Sequence, residues 1–184
     1  MKQGQKIAIN FISFQIGWFS CVLMAANNKP EVGVLITLFL VALHVFITSN
    51  KMNTIVFLLS VTLIGSVWDS VLTQQKILVY SSGMIVEYLA PIWIMTMWLI
   101  FATTLSVTFK WLYRRYWMAI ALGAIFGPLA YLGGSALGAV TIPDMLVAMV
   151  SLSLGWALLM PLLIWLAEYF EFNNVLNGVQ NESI

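Results

Sequence analysis

Charge is what this 184-residue sequence most lacks. Eight Lys and Arg and seven Asp and Glu amount to 8% of the chain and leave a net charge of +1. A water-soluble domain carries about 25% charged residues, so there is too little polar surface here to coat a globule. No basic field is present to hold nucleic acid, and no acidic tail. The single cysteine, Cys21, excludes an internal disulfide and any multi-cysteine zinc site, and within an apolar run it reads as a packed, inert thiol. One histidine, His44, offers a metal no second imidazole. Phosphate-loop, HExxH and nucleophile-elbow signatures are missing. So are the paired carboxylates that general acid–base work needs within a membrane. The sequence leans away from an enzyme and implies no metal and no cofactor.

What is present is apolar length. Hydrophobic residues make up 61% of the chain, and a membrane-spanning helix needs roughly 20 of them in succession. Six segments meet that need: Ile7–Ala26, Val32–Ser49, Asn53–Leu72, Leu89–Phe109, Trp117–Gly138 and Met145–Ala167. The first follows Lys2 and Lys6 but is longer than a signal-peptide core of about 7–15 residues, so it reads as a membrane helix. The expected fold is all-α, a polytopic bundle of six transmembrane helices forming one domain over residues 1–170. A polar tail, residues 171–184, follows it.

Orientation comes from the cations. With both termini inside, the inner segments hold Lys2, Lys6, Lys51, Lys110, Arg114 and Arg115, whereas the outer loops hold only Lys29 and Lys76. Six against two places the N- and C-termini in the cytoplasm. Trp111, Trp117 and Trp165 fall at the inner interface, Trp68 and Trp93 at the outer one. The one long connection, Thr73–Tyr88, holds two β-prone runs around Ser81-Ser82-Gly83. It reads either as a small outer hairpin or as an irregular surface loop.

Depth sorts the polar groups, because a helix rises about 1.5 Å per residue. Asp69, 16 residues after Asn53, lies roughly 24 Å along its helix, near the outer boundary of a hydrocarbon core of about 30 Å. It is the one carboxylate within an apolar run, and a charge there costs roughly 2.5–3.5 kcal/mol on insertion scales. Ser66 and Ser70 share its helix, Tyr131 reaches a similar depth, and Glu87 and Trp93 flank the start of the fourth helix. These form a candidate outward-facing pocket with Asp69 as anchor. The plainer reading is that Asp69 serves as interhelical glue, bonding Tyr131 or a serine. A second, inner layer holds Asn10, His44, Thr103 and Thr104, with Gln15 nearer the middle. It is too far from Asp69 for a His–Asp dyad and fits helix-positioning hydrogen bonds. In the fifth helix Gly123, Gly127 and Gly134 favour close packing, and Pro128 favours a kink.

Taken together, Asn10-Phe11, Phe14-Gln15-x-Gly17-Trp18-Phe19, Leu43-His44, Asp69-Ser70, Pro91-x-Trp93, Trp98-x-x-Phe101-Ala102-Thr103-Thr104-Leu105 and Gly127-Pro128-Leu129-Ala130-Tyr131 resemble an uncharacterised family. It comprises small inner-membrane proteins of Gram-negative bacteria and is classed as a domain of unknown function. The resemblance covers nearly the whole chain. It implies a bacterial inner-membrane location and a gene neighbourhood of cyclopropane-type fatty-acid modification, and it supplies no catalytic residues. The expected partners are therefore the lipid bilayer, a small-molecule or lipid ligand, and other membrane proteins. The expected role is binding or transport, with acyl-lipid modification and complex scaffolding as alternatives.

Overall fold

The computed structural model describes residues 2–181, with side chains through Phe172. Six helices follow one another: α1 (Gln3–Ala26), α2 (Pro30–Ile47), α3 (Lys51–Gln74), α4 (Ile92–Ser106), α5 (Tyr116–Ala136) and α6 (Met145–Asn181). All but α4 are long and apolar enough to cross a membrane. Local chemistry sets the ends. Asn50 accepts from the Asn53 N–H at 3.2 Å to start α3, and Asp144 accepts from the Val147 N–H at 3.0 Å to start α6, as short polar N-caps do. Pro30 opens α2, where its missing N–H costs nothing. Gly138, at φ 85°, ends α5 in a left-handed conformation that suits only glycine well.

The exception, α4, is the centre of the bundle. Its 15 residues span about 22 Å, less than the hydrocarbon thickness. The expected run Leu89–Phe109 is thus shortened at both ends: Pro91 caps it, and after Ser106 the chain leaves helical geometry for a 3₁₀ turn at Lys110–Leu112. It can be short because α1, α2, α3 and α6 all pack on it, so little of its backbone meets lipid. The other helices turn large apolar side chains outward, Phe39, Phe46, Leu63 and Leu158 among them, as a chain dissolved in lipid does.

The loop after α3 does not form its own hairpin. Strand β1 (Val79–Tyr80) pairs antiparallel with β2 (Val140–Thr141), from the connection between α5 and α6. Ser81 N–H extends the ladder to the Ala139 carbonyl at 3.1 Å. The second β-prone run is instead an exposed stretch, Met84–Val86. The pairing holds Tyr80 of β1 buried, where its hydroxyl reaches Asp69. The sixth helix also departs from expectation. It does not stop at Ala167 but continues through the polar segment to Asn181; residues 182–184 of the expected tail lie outside the described residues.

Tryptophans divide by face. At the N-terminal face, where α1 begins, Trp117 and Trp165 are exposed. At the opposite face, which carries the β-ladder, Trp93 is fully buried and Trp68 packs on Gly155. The outer rings are core residues rather than interfacial anchors.

Candidate functional site

Asp69 occupies the last turns of α3, fully buried. Its Oδ1 accepts from the Tyr80 hydroxyl at 2.6 Å and the Tyr131 hydroxyl at 2.7 Å; its Oδ2 accepts from Trp98 Nε1 at 2.6 Å. Three donors from β1, α5 and α4 thus close around one carboxyl group. A buried acid is tolerable only when so satisfied. Tyr80 is itself buried beside the edge of Trp93, ring centroids 5.6 Å apart. Burial, followed by the adjacent Asp69, pushes its phenol well above the ordinary value of 10.0.

Glycine makes room for the indole rings that hold this arrangement. Trp98 lies flat on Trp156 of α6, centroids 5.0 Å apart and planes 13° apart. On one side of the stack, a Cβ at Gly65 would fall 2.0 Å from Trp98 Cδ2; on the other, a Cβ at Gly127 would fall 2.2 Å from Trp156 Cγ. Four helices therefore meet in one sandwich: Gly65, Trp98, Trp156, Gly127. Gly123 brings α5 against the Trp156 carbonyl in the same way, at 2.3 Å for a Cβ. Gly134 does not share this role, since its Cβ would meet only Val140 at an ordinary 3.6 Å. Pro128 is buried within α5, which continues as one helix through it to Ala136.

The remaining outer candidates scatter. Ser70 donates to the Ser66 carbonyl at 2.7 Å and accepts from the Ala90 N–H at 2.9 Å, which fixes the approach to α4. Trp93 donates to the Ser82 carbonyl at 3.0 Å. Ser66 Oγ, though buried, has no hydrogen-bond partner among the described residues. Glu87 is exposed on the loop. In the inner layer Asn10 is the hub: its Nδ2 donates to Thr103 Oγ1 at 3.0 Å and its Oδ1 accepts from Thr108 Oγ1 at 2.6 Å. Thr104 bonds back to the Phe101 carbonyl of its own helix. His44 and Gln15 join neither group. His44 meets Thr48 only through its carbonyl, and Gln15 lines a shallow hollow on the outer surface of α1 and α2.

Beside Asp69 runs a cavity of about 430 Å³, within the usual range of about 300–1,000 Å³ for ligand sites. It lies between α1 and α5, floored by α4 and the Trp156 indole. Each helix contributes one stripe: Phe11, Phe14, Trp18 and Val22 from α1; Trp93, Met97, Trp98 and Phe101 from α4; Leu122, Phe126, Ala130 and Gly134 from α5. Phe11 and Phe126, on its rims, are exposed, so it opens sideways, toward lipid. It extends from Val140 and Trp93 at the ladder face to Phe109 and Trp111 at the other. The lining is aromatic and aliphatic, whereas a polar pocket was expected. Asp69 is its one ionisable carboxyl, already engaged by three donors.

Against families of known sequence, residues 7–162 match the model described as "Protein of unknown function (DUF2878)". The chain belongs to this family. Neither the curated proteins nor the solved structures contain a match. As a DUF2878 member it is a multi-pass membrane protein whose relatives lend it no assigned activity.

The resemblance read from the motifs is thus to the family that is found. Of the residues around Asp69, sequence reasoning named Tyr131 and missed Tyr80 and Trp98. Tyr80 was hidden because it belongs to a loop, where helix depth has no meaning. A signal for Trp98 did exist: Gly65 stands four residues before Asp69 on one helix face, a gap for a large ring next to the acid.

Proposed function

We propose that this protein binds an acyl chain of a membrane lipid in the groove between α1 and α5, and that Asp69 is the post that holds the groove's far end in shape. The observation that carries the reading is the cavity itself, long, aromatic and open to the side on which a membrane chain meets lipid. A preformed apolar slot takes a flexible apolar chain well, because the walls are already ordered and only the ligand loses freedom. Modification chemistry is less well supported. The groove offers one ionisable carboxyl, and three hydrogen bonds already occupy it. Transport would need this seal to open.

The cation bias supports both termini in the cytoplasm, and the family resemblance supports a bacterial inner membrane as the location. Reporter fusions at the N-terminus and after residue 181 would then be active only as cytoplasmic reporters.

The groove is tested by filling it. Purified protein, exchanged through detergent, is expected to retain about one phospholipid per chain by native mass spectrometry. Ala130→Trp and Gly134→Leu place bulk in the slot where the backbone tolerates a side chain, Gly134 having only Val140 nearby. Both should fold and lose the retained lipid. Equal retention in the filled variants would remove the reading.

A further inference from the structure

We infer that the bound lipid is anionic, held with its phosphate at the N-terminal face by Arg114 and Arg115 and its tail directed toward Asp69. This rests on the acyl-groove reading and names the class of lipid that the groove selects. The groove's mouth at that face is Trp111, half exposed between Lys110 and Arg114. Arg115 immediately precedes α5. It stands 11 residues before the groove residue Phe126, about three helical turns, so its backbone lies nearly in line with Phe126 along α5. The slot and the arginine therefore share a line along the helix.

The local charges divide unequally. Lys110 pairs with Glu171. Glu168 accepts from the backbone N–H of Arg114 and, at 3.0 Å, from the Tyr116 hydroxyl. Both carboxylates thus have a partner of their own, although Glu171 Oε2 has none among the described residues. Neither guanidinium has a hydrogen-bond or ion-pair partner among the described residues, and both arginines are exposed. Guanidinium is the group whose fork of donors best fits a phosphate. At the opposite mouth the lining side chains, Val140, Trp93 and the capped Asp69, include no cation, although Lys29 and Lys76 lie exposed in the loops of that face.

The test is the same native mass spectrometry on protein equilibrated in mixed micelles of equimolar phosphatidylglycerol and phosphatidylethanolamine. Wild type is expected to retain the anionic lipid roughly tenfold over the zwitterionic one, as two nearby cations would allow. Arg114→Gln/Arg115→Gln should bring the ratio near unity while total retained lipid stays the same. Lys29→Gln/Lys76→Gln, at the far face, should leave the preference intact. Inorganic phosphate in excess should not displace the lipid. Retention of both lipids at parity by wild type would overturn the inference and leave the groove standing. Equal loss of preference in the far-face variant would overturn it as well. No retained lipid of either class would sink the groove reading first.

Discussion

The Tyr80 hydroxyl donates to Asp69 Oδ1 across 2.6 Å, although one residue belongs to an outer strand and the other to a membrane helix. Because β1 is paired to β2, this single bond ties the α3–α4 connection, the α5–α6 connection and the buried acid into one unit.

Removing that hydroxyl should loosen the β1–β2 ladder without dismantling the bundle. A hydrogen bond contributes about 0.5–1.5 kcal/mol net, and somewhat more where a buried group is left short of a partner; Asp69 keeps two donors in Tyr80→Phe. The expected cost is about 1–2 kcal/mol by detergent unfolding, with faster hydrogen exchange confined to residues 79–81 and 139–141. Asp69→Asn should cost more, about 2–3 kcal/mol, because an amide NH₂ then faces one of the three donors. If Asp69→Asn were the milder change, the three-donor account would fail.

The same tyrosine gives a pH dependence with a definite sign. Burial, then Asp69, raise its phenol above the ordinary 10.0, so the folded state keeps the proton longer than the unfolded state does. Stability from this group is complete below about pH 10 and is lost as pH rises beyond it. Melting temperature should therefore fall steeply above pH 10 in wild type, and less steeply in Tyr80→Phe. Identical slopes would show that other phenols carry the alkaline transition; Tyr113, raised by its burial and by Glu171, would be the first to examine.

Gly65→Val tests the indole sandwich. Its Cβ would enter the Trp98 ring, and Trp98 cannot retreat because Trp156 and Gly127 back it. Overpacking typically costs about 1–3 kcal/mol, and a rigid stack belongs at the upper end. The Trp98–Trp156 near-UV dichroism should collapse along with stability; an unchanged spectrum would contradict the packing described.

Asn10→Ala should be mild. Interhelical polar bonds in membranes are worth about 0.6 kcal/mol and at most about 1.7, and Thr103 retains its bond to the Ile100 carbonyl at 2.8 Å. A loss well above 2 kcal/mol in thermal unfolding would assign the inner layer more than a positioning role.

Much of this architecture was legible in the sequence, for a simple reason. Hydrocarbon demands long apolar runs and punishes charge, so the six helices and the singular status of Asp69 stand out in one dimension. The misreadings share a cause too. Depth along a helix fixes a residue's level but not the direction it faces. Asn10 and Thr103 were matched by level and do meet; His44, matched to the same level, and Gln15, placed nearer the middle, face elsewhere. The short α4 was concealed because burial in protein and burial in lipid select the same apolar side chains. The β1–β2 pairing joins residues about 60 positions apart, beyond any local signal. The apolar groove was invisible for the same reason, since its walls come from three helices that are each ordinary alone.

The spacing of the donors around Asp69 also dictates an order of assembly. As the chain emerges from the ribosome, the acid enters the bilayer while Tyr131, 62 residues later, is still unmade, and β2 later still. The first four helices are therefore complete while one of the acid's three donors is still missing. Arrival of the fifth helix completes the set, so a chain ending before it would leave the acid with two donors rather than three.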